Sequence, residues 1–231
     1  MPGRLPHLLA PAVFAVLSAC TDPDSVAPNT RLLAVGDSVL AWNGFRDEAI
    51  PDVVGRLTGL SVANLSVAGA RVSATSPAIV AKGGDIRQQY RSGPWDWVIL
   101  NGGANDLLAE CGCNGCGATL DSLVGPNGQG GDIPALVDRI VADSASIVIL
   151  GYYNANVRPN PFSRCSEEVD VLNRRLEALA KRTPGAVYVG AEEVIDPANP
   201  AHWFVDRVHP SPLGSELIGA RIAAAMRAAG G

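Results

Sequence analysis

The chain has 231 residues, a formal net charge of −5 at pH 7 and a hydrophobic fraction of 47%. This length can bury the core of one large domain or of two small ones. The mild acidity, together with the lack of any basic block in the sequence, argues against a nucleic-acid partner.

The first predicted element is an export signal. Residues 1–19 include an apolar stretch at 8–17 that is too short to span a membrane, and we interpret them as a signal peptide. The Leu-Ser-Ala sequence before Cys20 resembles a bacterial lipobox, which implies acylation of Cys20; an ordinary secretory signal with a chance cysteine is the alternative. Residues 20–30 are polar and predict a lipidated tether that reaches roughly 30 Å when extended. The sequence therefore predicts an exported, membrane-anchored lipoprotein that faces the periplasm or the cell exterior.

The remaining residues, 31–231, read as one α/β domain. Five short apolar runs, rich in Val, Ile and Leu, predict strands that are buried on both faces: 31–35, 61–66, 97–101, 147–151 and 186–189. Helical periodicity lies between and after them, at about 40–58, 85–90, 133–142, 167–182 and 212–228. This alternation predicts a parallel sheet with helices on both faces.

The turn that ends the first strand carries a candidate nucleophile. Ser38 follows Gly36 and Asp37, and a serine at a strand-to-helix turn lies beside the free N–H groups of the coming helix. In open α/β sheets the functional loops leave the carboxyl ends of the strands. The hydroxyl still needs a base to remove its proton, and the alternative is that Ser38 only caps a helix.

His209 is the candidate base. The chain has three histidines, and His7 lies within the predicted signal peptide. Asp206 precedes His209 by three residues, a spacing that brings two side chains to one side of a turn. A carboxylate there can accept the Nδ1–H, fix the tautomer and favour the imidazolium. His202 also has Asp206 within reach along the chain, but its neighbours are aromatic; a solvent-facing histidine is the alternative for His209.

Two glycine-rich turns carry candidate oxyanion donors. Gly69 follows the second strand and has no Cβ, so its N–H can approach a substrate closely. Asn105 follows the third strand and can donate its side-chain amide. With the Ser38 N–H they would form a three-donor hole, in which one donor typically accounts for about 10²–10³ in rate. The alternative for Asn105 is an ordinary polar turn.

In this order, the motifs resemble those of the SGNH hydrolases, the GDSL esterase and lipase family. The matching blocks are Gly36-Asp37-Ser38-Val39, Gly69, Gly102-x-x-Asn105-Asp106 and Asp206-x-x-His209-Pro210. Leu40, where the first block often has a serine, and the Ser-Val-Ala sequence before Gly69 depart from the family pattern.

The resemblance implies a three-layer α/β/α sandwich with a flavodoxin-like, parallel five-stranded sheet. It implies a Ser38–His209–Asp206 triad, an oxyanion hole and no metal or other cofactor. The expected activity is hydrolysis of acetyl or short-chain acyl esters through an acyl-enzyme. A lysophospholipase- or thioesterase-like acyl hydrolase and a non-catalytic, envelope glycan-binding lipoprotein are the alternatives. We expect a monomer whose partners are small-molecule, glycan or lipid acyl esters and, through the lipid anchor, a membrane.

Trp42 is a candidate for the substrate pocket. It lies four residues after Ser38, and on a helix that spacing points two side chains to similar sides. The alternative is a tryptophan of the hydrophobic core.

Four cysteines follow the signal: Cys111, Cys113, Cys116 and Cys165. In an oxidising compartment, disulfides are the expected state, and three pairings are open, although Cys111 to Cys113 would close a very tight ring. Cys113-x-x-Cys116 also has the spacing of metal ligands, which is the alternative. A disulfide between the loop at 111–116 and Cys165 would clamp the rim of the site, because both segments follow strands at the same sheet edge.

Overall fold

The structure, a computed structural model, describes residue 27 and residues 29–230. The predicted signal peptide, Cys20 and most of the predicted tether therefore lie outside the described residues. Within those residues, no helix is both long and apolar enough to cross a membrane.

The sheet has five parallel strands in the order β2-β1-β3-β4-β5. The strands are β1 (Leu32–Val35), β2 (Val62–Asn64), β3 (Trp97–Leu100), β4 (Ser146–Leu150) and β5 (Ala186–Val189). All five predicted strands are confirmed to within two residues at every end, and β2 is shorter than predicted. This doubly wound order reverses direction between β1 and β3, the place where such sheets open a crevice at their carboxyl edge.

Nine α-helices are assigned in the part of the chain that the structure describes. They are α1 (Ser38–Ala41), α2 (Ile50–Thr58), α3 (Pro77–Val80), α4 (Ile86–Gln89), α5 (Ala104–Glu110), α6 (Gly117–Leu123), α7 (Asp132–Ala142), α8 (Ser166–Arg182) and α9 (Pro212–Ala229). Three short helices, α3, α5 and α6, were not predicted.

The segment predicted as helical at 40–58 is divided into two helices. Asn43 and Asp47 adopt left-handed backbone angles, with φ of 67° and 57°, on either side of a 3-10 turn at Gly44–Arg46. A left-handed residue cannot continue a right-handed helix, so α1 ends and α2 starts afresh at Ile50. This break turns the residues after α1 away from the helical path.

The helices cover the sheet in two groups. α2 packs against α9, while α4 and α6 contact α7 and α5 contacts α8. The approach of α2 to α9 is close: a Cβ on Gly219 would come within 2.5 Å of the Val53 side chain. The predicted α/β/α arrangement is thus confirmed, and the core between the layers is mainly aliphatic.

Candidate active site

Ser38 begins α1 directly after β1, and its turn is fixed by the two residues before it. A Cβ on Gly36 would lie 2.6 Å from the Asn101 carbonyl oxygen, so only glycine fits there. Asp37 caps α1, since its Oδ1 accepts from the Val39 N–H at 2.9 Å. The result is a half-buried Ser38 at the start of the helix, as the sequence predicted.

Asp37 is held in place by Tyr152, which lies two residues after the end of β4. The Tyr152 hydroxyl donates to Asp37 Oδ2 at 2.6 Å and accepts from the Ala104 N–H at 3.2 Å. Asn173 of α8 exchanges two hydrogen bonds with the Tyr152 backbone, at 2.9 and 2.8 Å. Burial raises the pKa of Asp37, and the hydrogen bonds from Tyr152 and Val39 oppose that rise. Tyr152 thus links the nucleophile turn to two further elements at the same sheet edge.

Asp206 and His209 meet in a tight loop between β5 and α9. Nδ1 of His209 lies 2.7 Å from Asp206 Oδ2. Asp206 Oδ1 accepts from the backbone N–H groups of Val208 and His209 at 2.9 and 3.0 Å. Arg207 between them adopts φ 60°, which closes the turn. The predicted carboxylate–imidazole pair is therefore formed.

The pKa of Asp206 reflects opposing influences. Burial would raise it, but the hydrogen bonds from the His209 side chain and from two backbone N–H groups outweigh burial and bring the pKa below its ordinary value. The group therefore stays a carboxylate at neutral pH, the state that can accept the Nδ1–H of His209.

His202 has a different environment. Its Nδ1 accepts from the Asp196 N–H at 3.0 Å, and its Nε2 contacts Asn199 Nδ2 at 3.1 Å. These local contacts engage both ring nitrogens, which agrees with the choice of His209 as the candidate base.

Ser38, Asn105 and His209 line one cavity that is partly open to solvent. Apolar and aromatic side chains form most of the remaining wall, among them Val39, Tyr153, Phe162, Val169, Trp203 and Val208. Tyr153 also donates its hydroxyl to the Val208 carbonyl oxygen at 2.8 Å, which ties the wall to the His209 loop. Among the described residues, no hydrogen bond joins Ser38 to His209; such bonds often tighten only when substrate is bound.

The two predicted oxyanion donors lie in neighbouring loops. Asn105 Nδ2 donates to the Ala70 carbonyl oxygen at 3.0 Å and lies 3.5 Å from Asp37 Oδ2. Gly69, directly before Ala70, is exposed with φ 76°, a conformation that favours glycine. The Asn105 side chain thus bridges the Gly69 loop and the nucleophile turn.

Asp106, the residue after Asn105, fixes the Gly69 loop to α5. Its buried carboxylate accepts from the Val72 N–H at 3.0 Å and from the Ser73 N–H and hydroxyl at 2.8 and 2.7 Å. Burial raises its pKa, against the lowering effect of these hydrogen bonds. No sequence pattern assigned a role to Asp106, Tyr152, Tyr153 or Asn173; the Gly-Tyr-Tyr sequence after β4 was the available signal for the two tyrosines.

Trp42 lies against the candidate base rather than in the cavity wall. Its indole is stacked on the His209 imidazole, with centroids 3.7 Å apart and planes inclined by 9°. The Phe204 ring packs edge-on against it at 5.3 Å. The predicted pocket position does not arise because α1 ends at Ala41 and Trp42 adopts an extended backbone, with ψ 144°.

The four cysteines form two disulfides, Cys111–Cys116 and Cys113–Cys165. Cys165 is fully buried, lines the cavity and precedes α8, so the second bond joins the loop after α5 to the cavity wall. The alternative of a metal site is not supported, because all four sulfurs are paired and the described residues contain no cluster of metal-ligating side chains.

Fold and sheet-edge site together define the class of the protein, an SGNH-type hydrolase of ester bonds. The chain belongs to the GDSL-like lipase/acylhydrolase family, whose family model matches residues 34–217. No curated protein sequence matches the chain.

Solved structures of this class share the fold. A GDSL-like lipase from Bacteroides thetaiotaomicron is 19% identical, with a TM-score of 0.59 over 89% of this chain and 91% of that one. A carbohydrate acetylesterase from Sinorhizobium meliloti, Est24, is 17% identical, with a TM-score of 0.55 over 86% and 99%. A family 3 carbohydrate esterase from Clostridium thermocellum is 18% identical, with a TM-score of 0.56 over 86% and 96%.

Proposed function

We propose that this protein hydrolyses short-chain acyl esters, with Ser38 as nucleophile, His209 as general base and Asp206 as the group that orients His209. The observation that carries the proposal is the 2.7 Å contact between Asp206 and His209 Nδ1, because His209 shares its cavity with Ser38 and Asn105. A nucleophile, a base and a group orienting the base are the parts that acyl transfer requires.

In the first step, Ser38 Oγ attacks the ester carbonyl carbon while His209 Nε2 takes the hydroxyl proton. Asp206 accepts the Nδ1–H, holds the tautomer that leaves Nε2 free and stabilises the imidazolium that forms. The negative charge that develops on the carbonyl oxygen is held by N–H donors from Ser38, Gly69 and Asn105. The 3.5 Å contact of Asn105 with Asp37 is too long to be a strong hydrogen bond, so a substrate oxygen could replace it.

In the second step, the tetrahedral intermediate collapses and His209 gives its proton to the leaving alcohol oxygen. The acyl group is then bonded to Ser38 Oγ. A water molecule attacks this acyl-enzyme while His209 removes one of its protons. The second tetrahedral intermediate then breaks its bond to Ser38 Oγ, which takes the proton back from His209 as the carboxylic acid is released.

The acyl group is proposed to be acetyl or short-chain, and two features bear on this choice. Similar folds belong to carbohydrate esterases from Sinorhizobium meliloti and Clostridium thermocellum, which supports an acetylated glycan as substrate. The second candidate is a lysophospholipase- or thioesterase-like hydrolase of longer acyl chains. It is supported by the apolar wall of Phe162 and Val169, which could contact a longer acyl chain.

A series of p-nitrophenyl esters from acetate to decanoate tests the activity and separates the two candidates. We expect hydrolysis with the highest kcat/KM for acetate to butyrate. A maximum at octanoate would favour the second candidate, and in that case Val169→Trp, which narrows the cavity, should lower kcat/KM for octanoate but not for acetate. If folded protein hydrolyses none of the esters, the proposed function is wrong and a non-catalytic binding role becomes the better proposal.

We infer further that the protein is an exported lipoprotein anchored through Cys20. The described chain enters at the amino end of β1, before Leu32, whereas Ser38 follows the carboxyl end of that strand. A tether that reaches roughly 30 Å when extended would keep the domain, and with it the cavity, close to the membrane surface.

Membrane fractionation tests the anchor. We expect the full-length protein in the membrane fraction and a Cys20→Ala variant released from it, because the acyl chain needs the cysteine sulfur. Equal partition of the two proteins would contradict the lipoprotein assignment and leave the ester hydrolase proposal untouched.

A further inference from the structure

Trp42 and Asn43, the two residues after the nucleophile helix α1, both reach the loop that carries His209. Trp42 covers one face of the imidazole in a near-parallel stack at 3.7 Å, and Phe204 in turn packs edge-on against the indole. The hydrogen bond to Asp206 fixes His209 at Nδ1 but leaves the ring plane free to tilt. The stack on Trp42 removes that freedom, so the two contacts together set the direction of Nε2.

Asn43 holds the backbone of the same loop. Its side-chain amide donates to the Pro210 carbonyl oxygen at 3.1 Å and to Ser215 Oγ at 3.0 Å, and the residue is 6% exposed. Its φ of 67° is one that asparagine tolerates better than most residues. Because Pro210 directly follows His209, this contact fixes the loop at the residue next to the base.

We propose that Trp42 and Asn43 are positioning residues, which hold His209 at a set distance and angle from Ser38. The inference rests on the proposed function. Its physical basis is that residues 38–43 carry the nucleophile and both supports of the base within one short segment, so neither group can shift alone. Misplacement of about 1 Å can cost an enzyme about 10²-fold in rate.

Trp42 also has an electrostatic effect on the reaction. The face of an indole ring attracts a cation, and His209 becomes a cation in the step where it takes the proton from Ser38. Asp206 contacts the imidazole directly, and the other charged residues that line the cavity with it are the buried Asp37, Asp170 and Arg207. Neither Trp42 nor Asn43 lines the cavity as described, so we expect their effect on kcat rather than on KM.

The variants Trp42→Leu and Trp42→Phe test the stack, with p-nitrophenyl acetate as substrate. We expect Trp42→Leu to lower kcat by about 10-fold with little change in KM. Trp42→Phe should keep most of the wild-type kcat because it retains an aromatic face against His209. A change confined to KM, or equal losses in the two variants, would overturn the role of Trp42.

Asn43→Gly tests the loop contact, with Ser215→Ala as its matched control. Glycine keeps the left-handed backbone and removes the side-chain amide. Ser215→Ala removes only the buried hydroxyl that accepts the second hydrogen bond of Asn43, and it leaves the hydrogen bond to the Pro210 carbonyl oxygen. At a temperature where thermal melts show all variants folded, we expect a loss of about 10-fold or more in kcat for Asn43→Gly alone. Similar kcat values in Asn43→Gly and Ser215→Ala would contradict the proposal.

A fluorescence titration tests the stack without any enzymatic activity. An imidazolium ring quenches the emission of an indole in contact with it, so wild-type emission should differ between acidic and alkaline pH. This difference should be smaller in Trp42→Phe and in His209→Gln, with any remainder coming from other pairs such as Trp203 and His202. A difference of undiminished size in either variant would contradict the stack. Failure of ester hydrolysis in the wild type, by contrast, would reject the proposed function.

Discussion

Ser38→Ala is expected to abolish covalent labelling by a fluorophosphonate and to lower kcat for ester hydrolysis by about 10⁴–10⁶-fold. The probe phosphonylates only an activated serine, and of the two serines that line the cavity with His209, Ser38 is the one at the strand-to-helix turn. Some catalysis should remain, because binding and the oxyanion donors still act on a substrate attacked directly by water.

Ser166 supplies the matched control, since it lines the same cavity. Ser166→Ala should keep full labelling and kcat. His209→Gln should lose about as much activity as Ser38→Ala, and the double variant should lose little more, since groups that act as a unit are not additive. Labelling that survives in Ser38→Ala, or disappears in Ser166→Ala, would show that another serine is the nucleophile.

The sheet and the location of the site could be predicted because both depend on local sequence. Short runs rich in Val, Ile and Leu specify buried parallel strands, and the candidate residues Ser38, Asn105 and Asp206 come from loops that leave the same edge of such a sheet. A helix of four to seven residues has only one or two turns, so its periodic pattern is weak. The four-residue α4 was nevertheless predicted, whereas α3, α5 and α6 were missed.

Contacts between distant segments could not be predicted. Tyr152 reaches Asp37 across 115 positions, and Asn43 reaches Pro210 across 167. The local sequence around either partner does not predict these hydrogen bonds. They form because the sheet brings the carboxyl ends of the strands together. The disulfide pairing could not be predicted for the same reason. Three pairings are compatible with the sequence, and the fold determines which cysteines lie close enough to bond.

Trp42 shows how one backbone angle changes the interpretation of a residue. The prediction assumed that the helix beginning at Ser38 continues, which would give both side chains similar directions. Instead, α1 ends at Ala41 and Trp42 is extended, so its indole turns to the face of His209. The left-handed Asn43 follows Trp42 and keeps the chain off the helical path, and the same residue holds the loop that Trp42 covers.

Asp206→Asn is expected to lower kcat by about 10⁴-fold with little effect on KM. This loss of kcat is similar in size to the loss found when the carboxylate of a Ser-His-Asp triad is replaced by a neutral amide. The amide keeps the size of the side chain and an oxygen for the Val208 and His209 N–H groups, so the loop should stay folded. What changes is the partner of His209 Nδ1, because an amide neither stabilises the imidazolium nor selects the tautomer with Nε2 free.

The pKa of Asp206 gives the same prediction a pH dependence. Burial alone would raise this pKa, but the hydrogen bonds from His209 and from two backbone N–H groups lower it below the ordinary value. A lowered folded-state pKa means that the loop contact contributes stability above the unfolded-state pKa and loses it as pH falls through the folded-state value. Wild-type melting should therefore show an acidic decline that is weaker in Asp206→Asn.

Asp196→Asn is the control for this substitution. Asp196 Oδ1 accepts from the N–H two residues on, at 2.8 Å, the same turn contact that Asp206 makes with Val208 at 2.9 Å. It differs in having no imidazole on its second oxygen, so it tests the turn without the catalytic contact. We expect wild-type kcat for Asp196→Asn. If Asp206→Asn keeps more than about a tenth of wild-type kcat, the loss falls far short of that expected for a triad carboxylate, and the 2.7 Å pair only holds the loop.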